Sequence, residues 1–337
     1  MKILVVTNMY PNPKQPAFGT FVKDQVEDLR QHGVEVEVLF INGRQNRLNY
    51  LWGVFRFWKR VITNRYDLIH AHYALSGVIA RLQWWCPVVV TYHGVEVLSI
   101  HSTHWLTNLS RWMAPFFERV IVVAQAEKDI LQRPNVVVIP CAVDLERFHP
   151  IPRQQAREQL QLPPDKPLVL WAGEPWRYQK RFELVEAAMQ IVKQHCPEAE
   201  LVLVSGQPHE VIPLYMNACD VLVLTSRFEG SPMVVKEAMA CNLPVVSTPV
   251  GDVPDVIGGV EGCYLVPPDA EEVAQKLLQV LQRRQRTRGR DAIRHLGNKP
   301  ITQRLLKLYN ELCPPHQRIP LEHECAGAPA EQPENEV

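Results

Sequence analysis

The chain has 337 residues, 46% of them hydrophobic, and its 36 Lys and Arg are balanced by 36 Asp and Glu. The length favours two domains with ordinary apolar cores, and the zero net charge leaves no global electrostatic case for nucleic acid as a partner. The first apolar run, in MKILVVTNMY, is too short for a signal peptide or a membrane span and reads as a buried strand.

Strand-like and helix-like segments alternate through the first half. Lys2 to Thr7 is the opening strand, and Phe21 to His32 follows with helical spacing and a stop signal at Gly33. Val34 to Ile41 is β-branched and alternating, Leu48 to Ile62 helical, Asp67 to His72 a strand, Ser76 to Trp85 a helix and Val88 to Tyr92 a strand. Arg119 to Val123 and Val136 to Ile139 continue the series. Strands separated by helices at this spacing predict βαβ units and a doubly wound parallel sheet.

Leu145 to Lys166 interrupts the pattern with Pro150, Pro152, Pro163 and Pro164 around a polar helical segment, and reads as the connection between domains. The alternation then restarts. Leu168 to Gly173, Glu200 to Gly206, Val221 to Thr225, Pro244 to Thr248 and Gly262 to Val266 read as strands, with helices over Phe182 to His195, Met233 to Ala240 and Ala270 to Gln282. The predicted division is a first α/β domain over 1–150, a second over 151–298, a helix over 299–312 returning towards the first, and a disordered, proline-rich and finally acidic tail over 313–337. Eight cysteines without a C-x-x-C pair read as buried free thiols in a reducing cytoplasm.

Open parallel sheets bind ligands beyond the carboxyl ends of their strands, so residues that follow strands are the candidates. Gly19 lies in the loop after the first strand. His70 and His72 end LIHAH, His93 and Gly94 follow VVVTY with Glu96 close behind, and Gly173, Arg177, Lys180 and Arg181 follow LVLWAG. Each also has a plain structural reading: core packing or capping for His70 and His72, a turn for His93, a solvated loop for the cations. No third ligand stands at helical or hairpin spacing from the histidines, so no metal is expected.

In SRFEGSPMVVKEAMACNLPVV, Ser231 and Pro232 read as a helix start, with Ser231 as the capping residue. The dipole and free N–H groups of that helix end suit a phosphate, and Lys180 with a nearby arginine would add positive charge. Glu237, inside the helix, can accept two hydrogen bonds from a vicinal diol such as ribose, and Glu229, before the helix, would reach a different hydroxyl. Phosphate, ribose and a second polyol together describe a nucleotide sugar.

Six blocks in order, namely DLIHAHYALSG, VVVTYHGVEV, VIVVAQAEKDIL, VIPCAVDLERFHP, LVLWAGEPWRYQKR and SRFEGSPMVVKEAMACNLPVVSTPVGDVPDVI, resemble the retaining glycosyltransferases of family 4 over residues 1 to about 312. The KEAMACNLPVV wording is similar to the teichuronic-acid and capsule type. The resemblance implies GT-B architecture, two Rossmann-like domains facing across a cleft, with the acceptor side in the first and the nucleotide sugar in the second. It implies a hexosyltransferase that moves sugar from a nucleotide-diphosphate sugar to a saccharide or lipid-linked acceptor in cell-surface polysaccharide synthesis, with retained anomeric configuration and no metal or other cofactor. His93 and Glu229 would be catalytic. Gly19, Gly173, Arg177, Lys180, Arg181, Ser231, Met233, Val234 and Glu237 would bind the donor, and His72 and Glu96 would lie on the acceptor side. Gly19 would let the first loop approach the diphosphate closely.

The sequence departs from that pattern in places. Glu174 stands where the family usually has arginine, Cys141-Ala142 replaces Asn-Gly, Pro232 lacks an N–H, and the stretch from Ser205 to Tyr215 is short by about one strand–helix unit. Two alternatives share the fold: a nucleotide-sugar epimerase or hydrolase, and a non-catalytic sugar-binding protein. Arg44 to Arg65 interleaves Trp52, Phe55, Phe57 and Trp58 with Arg47, Arg56, Lys59 and Arg60, which fits either peripheral contact at the inner face of the cell membrane or a core helix with a basic outer face. Trp105, Trp112, Phe116 and Phe117 fit either an acceptor groove or ordinary packing.

Overall fold

The computed structural model describes residues 1–13, 15, 18–98 and 104–321. Its strands are β1 Lys2–Thr7, β2 Glu35–Phe40, β3 Leu68–His72, β4 Val88–Tyr92, β5 Arg119–Val122, β6 Val136–Val138, β7 Leu168–Ala172, β8 Glu200–Val204, β9 Val221–Leu224, β10 Val245–Ser247 and β11 Tyr264–Leu265. They form two sheets, ordered β2-β1-β3-β4-β5-β6 and β11-β10-β9-β7-β8, and every pairing is parallel. The apolar runs make this possible: β3 and β4 are buried at all five positions, as strands covered on both faces must be. The register places Thr7 beside His72 and His72 beside Thr91, so the carboxyl ends of β1, β3 and β4 share one edge.

Helices cover the faces of the sheets with their apolar sides. Thr20–Gln31 buries Val22, Val26 and Leu29. Phe182–His195 and Ala270–Arg283 pack together with the second sheet through Val185, Ala188, Val192, Val273 and Leu277, and Asp269 caps the latter by accepting from the Glu271 and Glu272 N–H groups. The connecting segment carries a helix, Arg153–Gln159, tied to the second sheet: Arg157 meets Asp220 at 3.0 Å with both side chains buried, and Asp220 also accepts the Leu168 N–H. The last long helix, Asn298–Leu312, packs on Thr20–Gln31, and its Tyr309 hydroxyl lies 2.6 Å from His70 Nδ1. Residues 322–337 of the expected tail lie outside the described residues. Among the described residues no helix is long and apolar enough to cross a membrane.

Two expectations change. The helix read over Ser76 to Trp85 is Ala74–Ala80. It stops because Arg81 turns its guanidinium to the Gln83 carbonyl and to Glu118, while the Gln83 amide bonds both the N–H and the carbonyl of Cys86. The aromatic cluster around Trp105 and Trp112 lies on a helix, His104–Met113, that was not foreseen as one.

Candidate active site

Both sheets reverse their winding once, between β1 and β3 and between β7 and β9. Such switch points open a crevice at the carboxyl edge. The two edges meet backbone to backbone. A Cβ on Gly94 would stand 2.7 Å from Gly230 Cα, one on Gly230 would stand 2.5 Å from the His93 carbonyl oxygen, and one on Gly251 would collide with the Gly230 carbonyl. Gly94 and Gly251 also have positive φ, 106° and 55°. Sequence reasoning singled out Gly94 only as the neighbour of His93 and passed over Gly230 and Gly251, because glycines in polar loops look alike until their partners are known.

On the first-domain side, His72 Nδ1 lies 3.1 Å from His93 Nε2 and the two rings stack at 5.4 Å. Burial pushes the His72 imidazole down to about 3 and His70 and His93 well below their usual value. All three are therefore neutral at pH 7, and the His72–His93 bond has one donor and one acceptor. His70 is not in the cleft: Thr91 and Tyr309 take both of its nitrogens, which makes it a core link to the last helix. The His93 backbone N–H donates to Glu96 Oε2 at 3.1 Å, and burial raises the Glu96 carboxyl to about 7.

Glu127 was not foreseen. It follows β5, is fully buried, and leaves Oε1 without a partner. Burial first, and then the Glu96 charge, raises its carboxyl from 4.5 to about 9. An acid raised in the folded state stabilises the fold fully below its unfolded value. That contribution is lost as pH rises from about 4.5 through about 9, because the unfolded chain ionises first. Glu127→Gln is thus expected to shrink the fall in melting temperature between pH 5 and pH 8 by about 4 °C or more, measured by thermal unfolding at both values. An unchanged difference would show that this carboxyl is not held neutral.

On the second-domain side, Glu229 Oε1 accepts from Lys180 Nζ at 2.7 Å and from Ser226 Oγ at 2.8 Å. Helix Met233–Ala240 begins after Pro232, and Ser231 does not cap it. The reason is Lys236. Its ammonium is completely buried and must be neutralised there, so it sits 2.8 Å from Asp252 Oδ2, 2.9 Å from the Cys141 carbonyl and 2.5 Å from Ser231 Oγ. Ser231 Oγ donates to Asp252 Oδ2 at 2.7 Å, so its hydroxyl belongs to this pair. Met233 and Val234 remain as the first two helical residues. They precede Val235, whose N–H bonds the Pro232 carbonyl.

Glu237 lies one turn into that helix and is 7% exposed, and its Oε1 is 3.0 Å from His209 Nε2. Arg147 Nη1 is 3.0 Å from His209 Nδ1 and 3.4 Å from Asp24 Oδ2. Arginine can only donate, so His209 Nδ1 accepts and its Nε2–H is donated to Glu237. Burial lowers the His209 pKa, but the bond to Glu237 and its charge outweigh burial, leaving it raised. A polar chain thus runs from the second-domain helix to helix Thr20–Gln31 of the first domain. His209 sits in the stretch noted as short, where no periodicity marks it.

The remaining candidates are less convergent. Glu174 pairs with Arg177 at 3.7 Å, so the acid in the arginine position has a cation beside it. Arg181 lines an open hollow with Glu183, Leu184 and Arg227. Gly173 donates its N–H to the Val204 carbonyl. Gly19 has φ 76°, and its missing Cβ would stand 2.6 Å from the Met9 carbonyl carbon, so its immediate constraint is the folding of the first loop on itself. Between the domains an open cleft of about 180 Å³ is lined by Leu98, Ala124 and Glu127 on one side and Phe228, Glu229 and Pro249 on the other.

Residues 2–147 match the family model described as Glycosyltransferase Family 4, and residues 166–283 match that of Glycosyl transferases group 1, one on each sheet. The chain is a glycosyltransferase of the family 4 and group 1 type. A putative teichuronic acid biosynthesis glycosyltransferase, TuaC of Bacillus subtilis (strain 168), is 25% identical to it over 346 residues, covering 82% of this chain and 88% of the relative. A D-inositol 3-phosphate glycosyltransferase of Saccharomonospora viridis is 28% identical, covering 73% and 70%. The glycosyltransferase shares its GT-B fold with a sucrose-phosphate synthase from Thermosynechococcus elongatus, at TM-score 0.78 and 22% identity over 93% of this chain and 99% of that one. It shares the fold also with Anabaena HepE in complex with UDP, at TM-score 0.67 and 19% identity over 92% and 100%.

Proposed function

We propose that this glycosyltransferase moves a hexose from a nucleoside-diphosphate sugar to a saccharide or lipid-linked acceptor, with retention, in cell-surface polysaccharide synthesis at the inner face of the membrane. The observation that carries the donor reading is the pair of glutamates at the second switch point: Glu229 held by Lys180 before the helix, Glu237 one turn inside it. Glu237 has a second oxygen and spare lone pairs for ribose hydroxyls beyond its bond to His209. Lys180 can exchange Glu229 for the diphosphate when the donor arrives, which puts a cation on the leaving group. Neutral His93, stacked on His72 at the opposite edge, faces the transferred sugar as a hydrogen-bonding group rather than a charge. HepE, a neighbour in fold, has been captured with UDP and with UDP-glucose, which supports this donor class, and TuaC supports the polysaccharide context.

In this reading the acceptor attacks from the face the diphosphate leaves, and the departing phosphate oxygen helps to take the acceptor proton. The protein contributes position and charge. Stabilisation of the leaving diphosphate falls to Lys180 and the helix start. The experiment is a screen of UDP- and GDP-sugars with and without saccharide acceptors, reading product by mass and anomeric configuration by NMR. Transfer dependent on acceptor and with retained configuration is expected. Sugar release or epimerisation without acceptor would favour the hydrolase or epimerase alternative, and no nucleotide binding at all would favour the non-catalytic one.

A further inference from the structure

Helix Asn49–Thr63 has two apolar stripes. Gly53, Phe57 and Val61 face the core, whereas Leu51, Trp52, Phe55 and Ile62 are exposed, Trp52 by 67%. The core-helix reading accounts only for the first stripe. The second does not end with the helix. Trp58 reaches Trp85 at 6.0 Å between ring centroids, the adjacent Trp84 reaches Phe116 at 6.4 Å, and Phe116 meets Trp112 at 5.4 Å. Trp84, Trp85 and Trp112 are each more than 60% exposed. The two aromatic segments of the sequence therefore join into one ridge across the helical face of the first domain.

The segments that build the ridge carry charge of one sign, and the neighbouring Glu118 is paired with the buried Arg81, which stacks on Trp84 at 4.3 Å. Residues 44–65, 82–86 and 104–116 contain seven Arg or Lys (Arg44, Arg47, Arg56, Lys59, Arg60, Arg65 and Arg111) and no Asp or Glu, in a chain whose net charge is zero. All but the half-buried Arg60 are exposed. Exposed tryptophan flanked by exposed cations is the chemistry of an interface between apolar and anionic layers. A second copy packed symmetrically on this face would set seven cations against seven.

We propose that this ridge docks the enzyme on an anionic phospholipid bilayer, with Trp52, Phe55, Trp84, Trp85 and Trp112 entering the headgroup layer and Arg44, Arg47, Arg56, Lys59, Arg60, Arg65 and Arg111 meeting lipid phosphates. It deepens the membrane-face part of the proposed function and rests on it for the direction of the surface, but not on the identity of the sugar donor. The test is co-sedimentation of the full chain with vesicles of phosphatidylcholine alone and of phosphatidylcholine with phosphatidylglycerol, at low and high salt. The native chain is expected to bind the mixed vesicles, weakly at high salt, and the neutral ones poorly. Trp52→Ser with Phe55→Ser, and separately Trp84→Ser with Trp112→Ser, should each weaken binding by about tenfold without changing melting temperature or nucleotide binding. Arg56→Gln with Lys59→Gln should lower binding only to the anionic vesicles. Absence of vesicle binding by the native chain, equal binding by all variants, or loss of a concentration-dependent dimer in the tryptophan variants without any vesicle binding would overturn the proposal. Since nucleotide binding is read in the same variants, failure here leaves the sugar-transfer reading separately decided.

Discussion

Gly230→Ala is expected to lower the turnover of sugar transfer by about a hundredfold while the protein stays folded. The added methyl would sit 2.5 Å from the His93 carbonyl oxygen and 2.8 Å from its carbon. Neither is the end of a flexible side chain, so the loop carrying His93 and the loop carrying Glu229 must move apart by about 1 Å, a displacement that can cost about a hundredfold when reacting groups must be aligned. Gly230 does not need a positive φ, so the substitution tests the approach of the two backbones rather than strain in one of them. Its carbonyl accepts the Asp252 N–H at 3.1 Å from within the same domain, and that bond survives the separation. Kinetics with a verified donor and acceptor, together with nucleotide titration and thermal unfolding, separate the outcomes. Turnover should fall much more than nucleotide affinity. Unchanged turnover would mean that chemistry does not require the domains to close on these glycines.

The second large effect falls on binding. Glu237→Ala is expected to weaken nucleoside-diphosphate affinity by about ten- to a hundredfold, as loss of hydrogen bonds to a charged group implies, about 1.5–3 kcal/mol. Glu237→Gln keeps one carbonyl acceptor and should lose less, about tenfold. The substitution has an internal cost too. His209 would lose the partner of its Nε2–H, and the chain through Arg147 to Asp24 would loosen at its inner end. A drop in melting temperature without added nucleotide reports that cost, and calorimetric titration reports the ligand term. If affinity stays native while stability drops, Glu237 is a structural anchor for His209 and the ribose contact is wrong.

Much of the fold was legible because parallel sheets buried on both faces write themselves as continuous β-branched runs. Leu168 to Gly173 and Val88 to Tyr92 could hardly be anything else, and the helix Phe182–His195 was placed to the residue by its stripe and by the polar loop before it. Three helices of five to seven residues, Gln125–Leu131, Ile212–Ala218 and Val253–Ile257, were missed because they are too short to show a 3.6-residue period. The candidate site divides along a similar line. Glu229, Glu237, Lys180 and His93 stood out through their order along the chain. Asp252, Lys236, His209 and Glu127 did not, because their meaning lies in what burial brings beside them. Lys236 drew no notice in the sequence, yet it is a buried cation that takes Ser231 away from the capping role its sequence suggested. Closure at Gly94, Gly230 and Gly251 joins three loops more than a hundred residues apart at the extremes, and no local pattern carries that.

The central claim is that the second switch point reads the ribose of a nucleoside diphosphate through Glu237. The most direct measurement is calorimetric titration of the native chain and of Glu237→Ala with UDP and with a UDP whose ribose lacks both free hydroxyls. The native chain should prefer the intact ribose by about tenfold or more, and Glu237→Ala should bind both alike. Equal binding of the two ligands by the native chain, or a preference that survives in Glu237→Ala, would contradict it.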